Sequence, residues 1–421
     1  MSFGVKRAIV AGASACALLA AARPALAVNC SSLPGKIIYG AGGSSQQPFL
    51  SAAGNQLAQL SSPISIVYSD TGSACVGYLD LVTPTAITGT ALYWDGSGAA
   101  QTCDLDIAGD PVTFAVMGNA ADLCSGVPDG GTNAAKWGTF LGPVQPVDFV
   151  VPAQSNQQSI STAAAYYIFG FGAKGPNTVS PWSTPADIFV RSSSSFATLF
   201  VALDTGVPAA TIAANGTSES TSTDTVTALA ALNGTSGANA GVGFVSGEVA
   251  DGNRASIKAL AYQHTGQSCG YWPDSTSTAF DKVNVRDGQY WLWSPIHFFA
   301  AVDSSGNITD PDTAALIGYL TGTVAGPTGF DFFQAELTAY TVPQCAMHVW
   351  RDGDLAPLYS KQPAASCSCE FDIATSNANK PTGCQTCTSD TGCTPVAPHC
   401  RNIGPPLNAD GGANVGYCEV N

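Results

Sequence analysis

Short apolar runs alternate with longer helix-like ones along this chain, and glycine and serine punctuate each change. Lys36 to Tyr39 is a β-rich run ending in Gly40-Ala41-Gly42-Gly43-Ser44-Ser45, and Gln47 to Leu60 has helical spacing. The pattern predicts a strand, a tight glycine turn and a helix. Ile64 to Tyr68 predicts a second strand, which runs into Asp70-Thr71-Gly72-Ser73-Ala74. Val112 to Met117 and Val147 to Val151 predict two more. Such alternation points to βα units on a largely parallel sheet.

Ile160 to Phe171 has the alanine and aromatic spacing of a buried helix, and Ile188 to Val190 predicts a strand leading into Arg191 to Ser195. After Gly216 a Ser/Thr-rich stretch predicts an exposed loop, followed by a helix over Val226 to Leu232 and a strand over Val242 to Val245. No repeat of 20 to 50 residues is present. The segment from Cys367 to Cys418 differs: it holds seven cysteines and few large apolar groups. It reads as a small appendage stapled by disulfides.

The first 27 residues change the setting. Lys6 and Arg7 precede an apolar stretch, Ala8 to Ala22, too short to span a bilayer, and Ala25-Leu26-Ala27 matches a cleavage site. Export into the periplasm or extracellular space is expected, with the mature chain starting at Val28. Losing Lys6, Arg7 and Arg23 takes 15 basic residues to 12 against 30 acidic ones, a net charge of −18. That balance repels nucleic acid and anionic membranes, so neither is an expected partner, and no later segment is apolar for long enough to insert. Thirteen cysteines from Val28 onward suit an oxidising compartment. The number is odd, so at least one thiol is left over. Cys103 and Cys124, flanking one compact segment, are the expected pair.

Three strand-to-turn junctions carry the candidate chemistry: residues 40–45, 71–74 and 191–195. Helix N-termini expose unpaired N–H groups and a positive dipole end, and serine hydroxyls add donors. Arg191 adds a planar fork suited to a tetrahedral oxyanion. Each junction alone has a plain alternative as a capped loop.

Gly40-Ala41-Gly42-Gly43-Ser44, Thr71-Gly72-Ser73 and Arg191 with its following serines resemble the anion-contacting loops of the phosphate-binding subunits of ABC importers. Gly142-Pro143-Val144-Gln145-Pro146, Cys269-Gly270-Tyr271-Trp272-Pro273-Asp274-Ser275 and Asp281-Lys282-Val283-Asn284-Val285-Arg286-Asp287-Gly288 are similar to secreted relatives of that family. The resemblance spans roughly residues 36 to 350. It implies an α/β, two-lobed periplasmic-binding-protein type II fold, here with a small disulfide-rich C-terminal module, and two strands crossing between lobes. Lobe one would take residues 36–148 with 263–345, lobe two 149–262, with a C-terminal cysteine-rich segment over 346–421.

The same resemblance implies Ser44, Ser73, Asn119, Arg191 and Ser195 as ligand contacts. It implies a small inorganic anion, phosphate or similar, as ligand, and an ABC permease as partner. Two departures bear on selectivity. Ser195-Phe196-Ala197 replaces Ser-Gly-Thr, and Gly118-Asn119 stands where the family has Ser-Asp. The family's aspartate accepts the proton of phosphate and rejects a fully ionised anion; Asn119 as a donor would weaken that preference.

Competing readings fit less of the chain. Asp70-Thr71-Gly72 and Asp204-Thr205-Gly206 look like the paired aspartates of an acid protease, yet βα alternation opposes an all-β enzyme. Residues 40–45 lack the third glycine of a dinucleotide loop and the lysine of a P-loop. No Gly-x-Ser-x-Gly occurs, and His264, His297, His348 and His399 have no partner spacing for hydrolysis. Cys384, Cys387, Cys393 and Cys400 with His399 could be drawn as a zinc site, but export favours disulfides. No cofactor, metal or enzymatic activity is expected. A non-transport sensor, adhesive or scaffold role with a degenerate site is the alternative.

Overall fold

The computed structural model describes residues 28–70, 73–126, 136–375, 384–404 and 415–420. The expected export signal, and Thr71 with Gly72, lie outside the described residues. β1 (Lys36–Gly42) leads through a 3-10 turn at Ser44–Gln46 into α1 (Gln47–Ala58). Pro48 sits in the first turn of α1, where its missing N–H costs nothing. β2 (Ile64–Asp70) leads into α2 (Ala74–Val82), and β3 (Thr90–Trp94) and β4 (Ala100–Asp104) form a hairpin. β5 is Phe114–Met117 and β6 runs from Trp137 to Pro152.

Next come α3 (Thr162–Phe171), the short β7 (Phe189–Val190), α4 (Phe196–Thr205) and α5 (Ser222–Ala230). β8 (Gly243–Ser246), α6 (Gly247–Gly252) and β9 (Ile257–Ala259) follow. The chain returns through β10 (Trp293–Ala301), α7 (Pro311–Leu320) and α8 (Phe332–Thr338).

β1 pairs in parallel with β2 and β5, as the βα pattern predicts, but the sheet is not largely parallel: β3 runs antiparallel to β2 and β4, β10 to β5 and β6, and β6 to β8 and β9. β6 belongs to both halves of the molecule. Its first part pairs with β10 from Trp137↔Ala301 to Pro146↔Trp293, and its last part pairs with β8 and β9. Sixteen extended residues span roughly 50 Å, so one strand links two cores. On one side Phe49, Ile66, Phe114 and Phe298 pack beneath α1, α7 and α8. On the other Phe149 stacks on Phe169 and meets Tyr262 at 5.2 Å between ring centres. The chain crosses back at Ile257 to Gln263, where the Leu260 N–H donates to the Phe149 carbonyl. Two α/β lobes joined by two crossing strands constitute the periplasmic-binding-protein type II fold.

The return crossing is held by buried charge. Lys282 is 1% exposed and its ammonium contacts Asp251 at 2.5 Å and Asp274 at 2.8 Å, while Arg254 binds the same two carboxylates. Those aspartates raise the Lys282 pKa although burial opposes them. The Trp272-Pro273-Asp274 and Asp281-Lys282 motifs are thus parts of one network, in which each buried ion has its counter-ion. Trp291 and Trp293 flank the Arg351 guanidinium at 4.8 and 4.0 Å, so the aromatic cluster serves packing and cation–π contact.

Beyond Cys345, Ala346 and Met347 enter the large core, and Cys345–Cys367 staples the segment. α9 (Ser368–Thr375) and a three-stranded sheet, β11 (Thr386–Cys387), β12 (His399–Gly404) and β13 (Val415–Glu419), form the C-terminal module. Cys369–Cys384, Cys387–Cys400 and Cys393–Cys418 cross-link it. The cysteines drawn above as a zinc site are therefore disulfide sulfurs. No helix among the described residues is long and apolar enough to cross a membrane.

Two further expectations about the chain's course fail. Cys103 pairs with Cys30, and Cys124 with Cys75, not with each other. Cys103 lies on β4, four strands from β5, or about 19 Å at the usual strand spacing; a disulfide needs α-carbons within about 7 Å. Val28–Asn29 lies beside Cys103 instead and brings Cys30 to it. The Ser/Thr-rich stretch after Gly216 is not simply a loop. Thr221 and Asp224 form a reciprocal capping box, so α5 starts at Ser222 rather than Val226.

α2 is seated against β1 through Gly77. A Cβ there would lie 2.3 Å from the Gly42 nitrogen and 2.6 Å from the Ala41 carbonyl carbon, both backbone atoms that cannot step aside. Gly77→Ala is expected to cost about 3 kcal/mol, read as a lower urea midpoint at unchanged slope. An unchanged midpoint would show that α2 is not packed this closely.

Candidate functional site

The first junction turns the Ser44 hydroxyl toward the second lobe. Tyr68 donates to the Gly43 carbonyl at 2.7 Å and fixes the turn. Ser44 Oγ accepts the Ser222 N–H at 3.2 Å and the Arg191 Nη2 at 3.4 Å. Arg191 is 2% exposed. Its Nη1 donates to Ser222 Oγ at 2.7 Å, its Nη2 also to the Ser220 carbonyl at 2.9 Å, and its Nε to the Glu219 carbonyl at 3.1 Å. Burial lowers the Arg191 pKa, and Asp70, Asp224 and Glu219 oppose the shift. Ser44 and Arg191, 147 residues apart in sequence, therefore meet across the lobes.

The second junction is close by. Ser73 caps α2 by accepting the Val76 N–H at 3.3 Å, and two residues after Ser73 the Cys75 N–H donates to the Ser194 carbonyl of the other lobe. A backbone carbonyl thus stands at the positive end of α2, where an anion would be favoured. Ser195 caps α4, accepting the Thr198 N–H and donating to Thr198 Oγ1 at 2.9 Å. Both hydroxyls do the work of helix caps.

Asn119 is fully buried, and its amide is oriented against expectation. Nδ2 donates to the Ala120 carbonyl at 2.8 Å, while Oδ1 has no partner. The side chain thus offers an acceptor rather than the donor read from sequence, because its own loop uses the N–H. The two departures from the family pattern prove to be one packing event. A Cβ on Gly118 would lie 2.6 Å from the Phe196 ring and 2.2 Å from Gln145 Nε2. The ring at 196 fills the room that a side chain at 118 would need.

Sequence reasoning missed Ser222, Gln46 and Gln145. Ser222 was legible through the Thr221/Asp224 capping box, which places it in the first turn of α5. Gln145 is a polar residue within an apolar strand, and both of its amide atoms are buried without partners; so are those of Gln46. Unpaired buried amides cost about 1–3 kcal/mol each and mark a place where a polar guest is welcome.

The remaining candidates make other contacts, and of them Asp70 stands near Arg191. Asp204 Oδ1 faces His264 Nδ1 at 2.9 Å, its other oxygen accepts from Tyr262, and His264 stacks on Trp291 at 4.5 Å. Asp70 accepts from Gln47 at 2.7 Å. The described hydrogen bonds do not join the two aspartates, as an acid protease requires. His297 is buried beside Ser294, and desolvation pulls its pKa down to about 4, so it is neutral near pH 7. Cys269 is the free thiol among the described residues.

If Phe196 and residue 118 compete for one volume, their changes are coupled. Gly118→Ala is expected to destabilise the chain by about 2 kcal/mol, and Phe196→Ala to relieve most of that cost. A double-mutant cycle by urea unfolding should give a coupling of about 1 kcal/mol or more. Additive effects would sink the packing argument.

No family model matches the sequence, and no curated protein matches it. Solved structures do. A candidate phosphate ABC transporter substrate-binding protein with bound phosphate from Clostridium perfringens is similar at 10% identity, covering 73% of this chain and 99% of that one, with a TM-score of 0.48. An ABC-type phosphate transport receptor from Vibrio cholerae is similar at 11% identity, 73% and 100% coverage and a TM-score of 0.44. A phosphate-binding protein from Stenotrophomonas maltophilia is similar at 13% identity, 73% and 90% coverage and a TM-score of 0.42.

Proposed function

We propose that this chain is an exported solute-binding protein that captures a small oxyanion in the cleft between its lobes, with weakened preference for phosphate. The observation that carries the reading is the junction of Ser44 with Arg191 and Ser222, which sets hydroxyl donors and a guanidinium from two lobes around one point. Such a fork matches a tetrahedral oxyanion. An incoming anion would compete with Ser44, Ser222 and two carbonyls for Arg191, so affinity is expected to be modest. No covalent chemistry is involved, and an ABC permease would be the partner in uptake.

Selectivity follows from Asn119. A carboxylate rejects a fully ionised anion by charge, whereas the neutral Oδ1 of an amide accepts a phosphate proton and repels sulfate much less. Calorimetric titration of the mature chain should find phosphate and sulfate bound within about tenfold of each other. Arg191→Gln should weaken both by roughly ten- to a hundredfold, the loss of charge-assisted hydrogen bonds. Tight phosphate binding with sulfate excluded would overturn the selectivity, and no binding of either would leave the sensor or scaffold role.

A further inference from the structure

A cavity of about 950 Å³ opens beside Ser44, between α1, α5, α6 and α8. That volume is at the upper end for small-molecule sites and far larger than a tetrahedral anion needs. Its lining contains no lysine or arginine, and its one charged residue is Glu248. Glu248 is 1% exposed, and neither carboxylate oxygen has a hydrogen-bond partner. The Trp94 indole N–H, of another lining residue and 2% exposed, is also unpartnered.

A buried carboxyl without donors is a cost to the fold that a ligand can relieve. Desolvation holds the Glu248 pKa well above its ordinary value, with Asp148 and Asp251 adding to the shift. A cationic donor in the cavity would answer the Glu248 carboxyl. The chain's overall negative charge favours the same guest.

We propose that the solute is not a bare inorganic anion but an oxyanion ester with an amine-bearing tail, its anionic end at Ser44, Arg191 and Ser222 and its ammonium on Glu248. The inference rests on reading the Ser44–Arg191 junction as an anion site. Ser44 belongs to both features, so a tail on the anion leads from one into the other. The Trp94 N–H supplies a donor for a linking oxygen.

The test is a calorimetric series on the full mature chain with inorganic phosphate, ethyl phosphate, 2-hydroxyethyl phosphate and 2-aminoethyl phosphate. The aminoethyl ester is expected to bind at least tenfold more tightly than the ethyl ester. Glu248→Gln should erase that advantage while leaving ethyl phosphate within about twofold. Equal binding of the three esters, or an amine advantage that survives Glu248→Gln, overturns the proposal while the anion site stands. Silence from inorganic phosphate and every ester overturns the anion site and the proposal together. The wild-type series decides the matter even if the variant fails to fold.

Discussion

A guanidinium taken out of water must be surrounded by acceptors, and the placement of Arg191 imposes this demand on both lobes. Isolated, such a charge would cost several kcal/mol. Here two hydroxyls and two carbonyls meet it, and three nearby carboxylates support its charge. The first turn of α5, the stretch before it and the glycine turn after β1 must all converge for this to hold. The lobes are therefore coupled by electrostatics at the mouth of the cleft, and by β6 and the return crossing at its back.

The same principle recurs away from the cleft. Lys282, with Asp251, Asp274 and Arg254, is a second buried ionic cluster, and Asp148 beside it has a pKa pushed up to about 8, chiefly by burial. Tyr290 donates to the Asp148 carboxyl and to the Val147 carbonyl, tying the crossing strand to the returning chain. Charged residues are few in this protein, 11% of the chain. Those near the crossings are gathered into networks, which rigidifies the place where the lobes join. Cys345–Cys367 and the three C-terminal disulfides give the small module the stability that its own sparse core does not.

Around residue 118 the packing is compensatory. Phe196 brings an apolar ring to a loop that in the family pattern carries glycine, and Gly118 surrenders its side chain to admit it. Asn119 turns its donor inward and presents an oxygen. The surroundings are consequently less charged and more amide-rich than a site built around a carboxylate, and Gln46 and Gln145 extend that character. Glu248 lies apart, on the wall of the adjoining cavity.

The βα order, the parallel pairing of β1 with β2 and β5, the disulfide-rich tail and the odd thiol were all legible in the chain, because hydrophobic period, turn residues and cysteine counts are local properties. Ser44 and Arg191 were legible as candidate donors for the same reason, since each sits in a strand-to-turn junction that the chain itself displays. What they would touch was not. The partner of Cys103 depended on which strand lies at the sheet edge, the direction of the Asn119 amide on the carbonyl of its own loop, and the exchange between Gly118 and Phe196 on a contact 78 residues apart in sequence. Glu248 drew no notice in the sequence, and only its burial beside the cavity singles it out. Sequence specifies which groups are available and how each segment folds. Only tertiary packing decides which of them lose water together, and that loss sets pairing, protonation and the room left for a ligand.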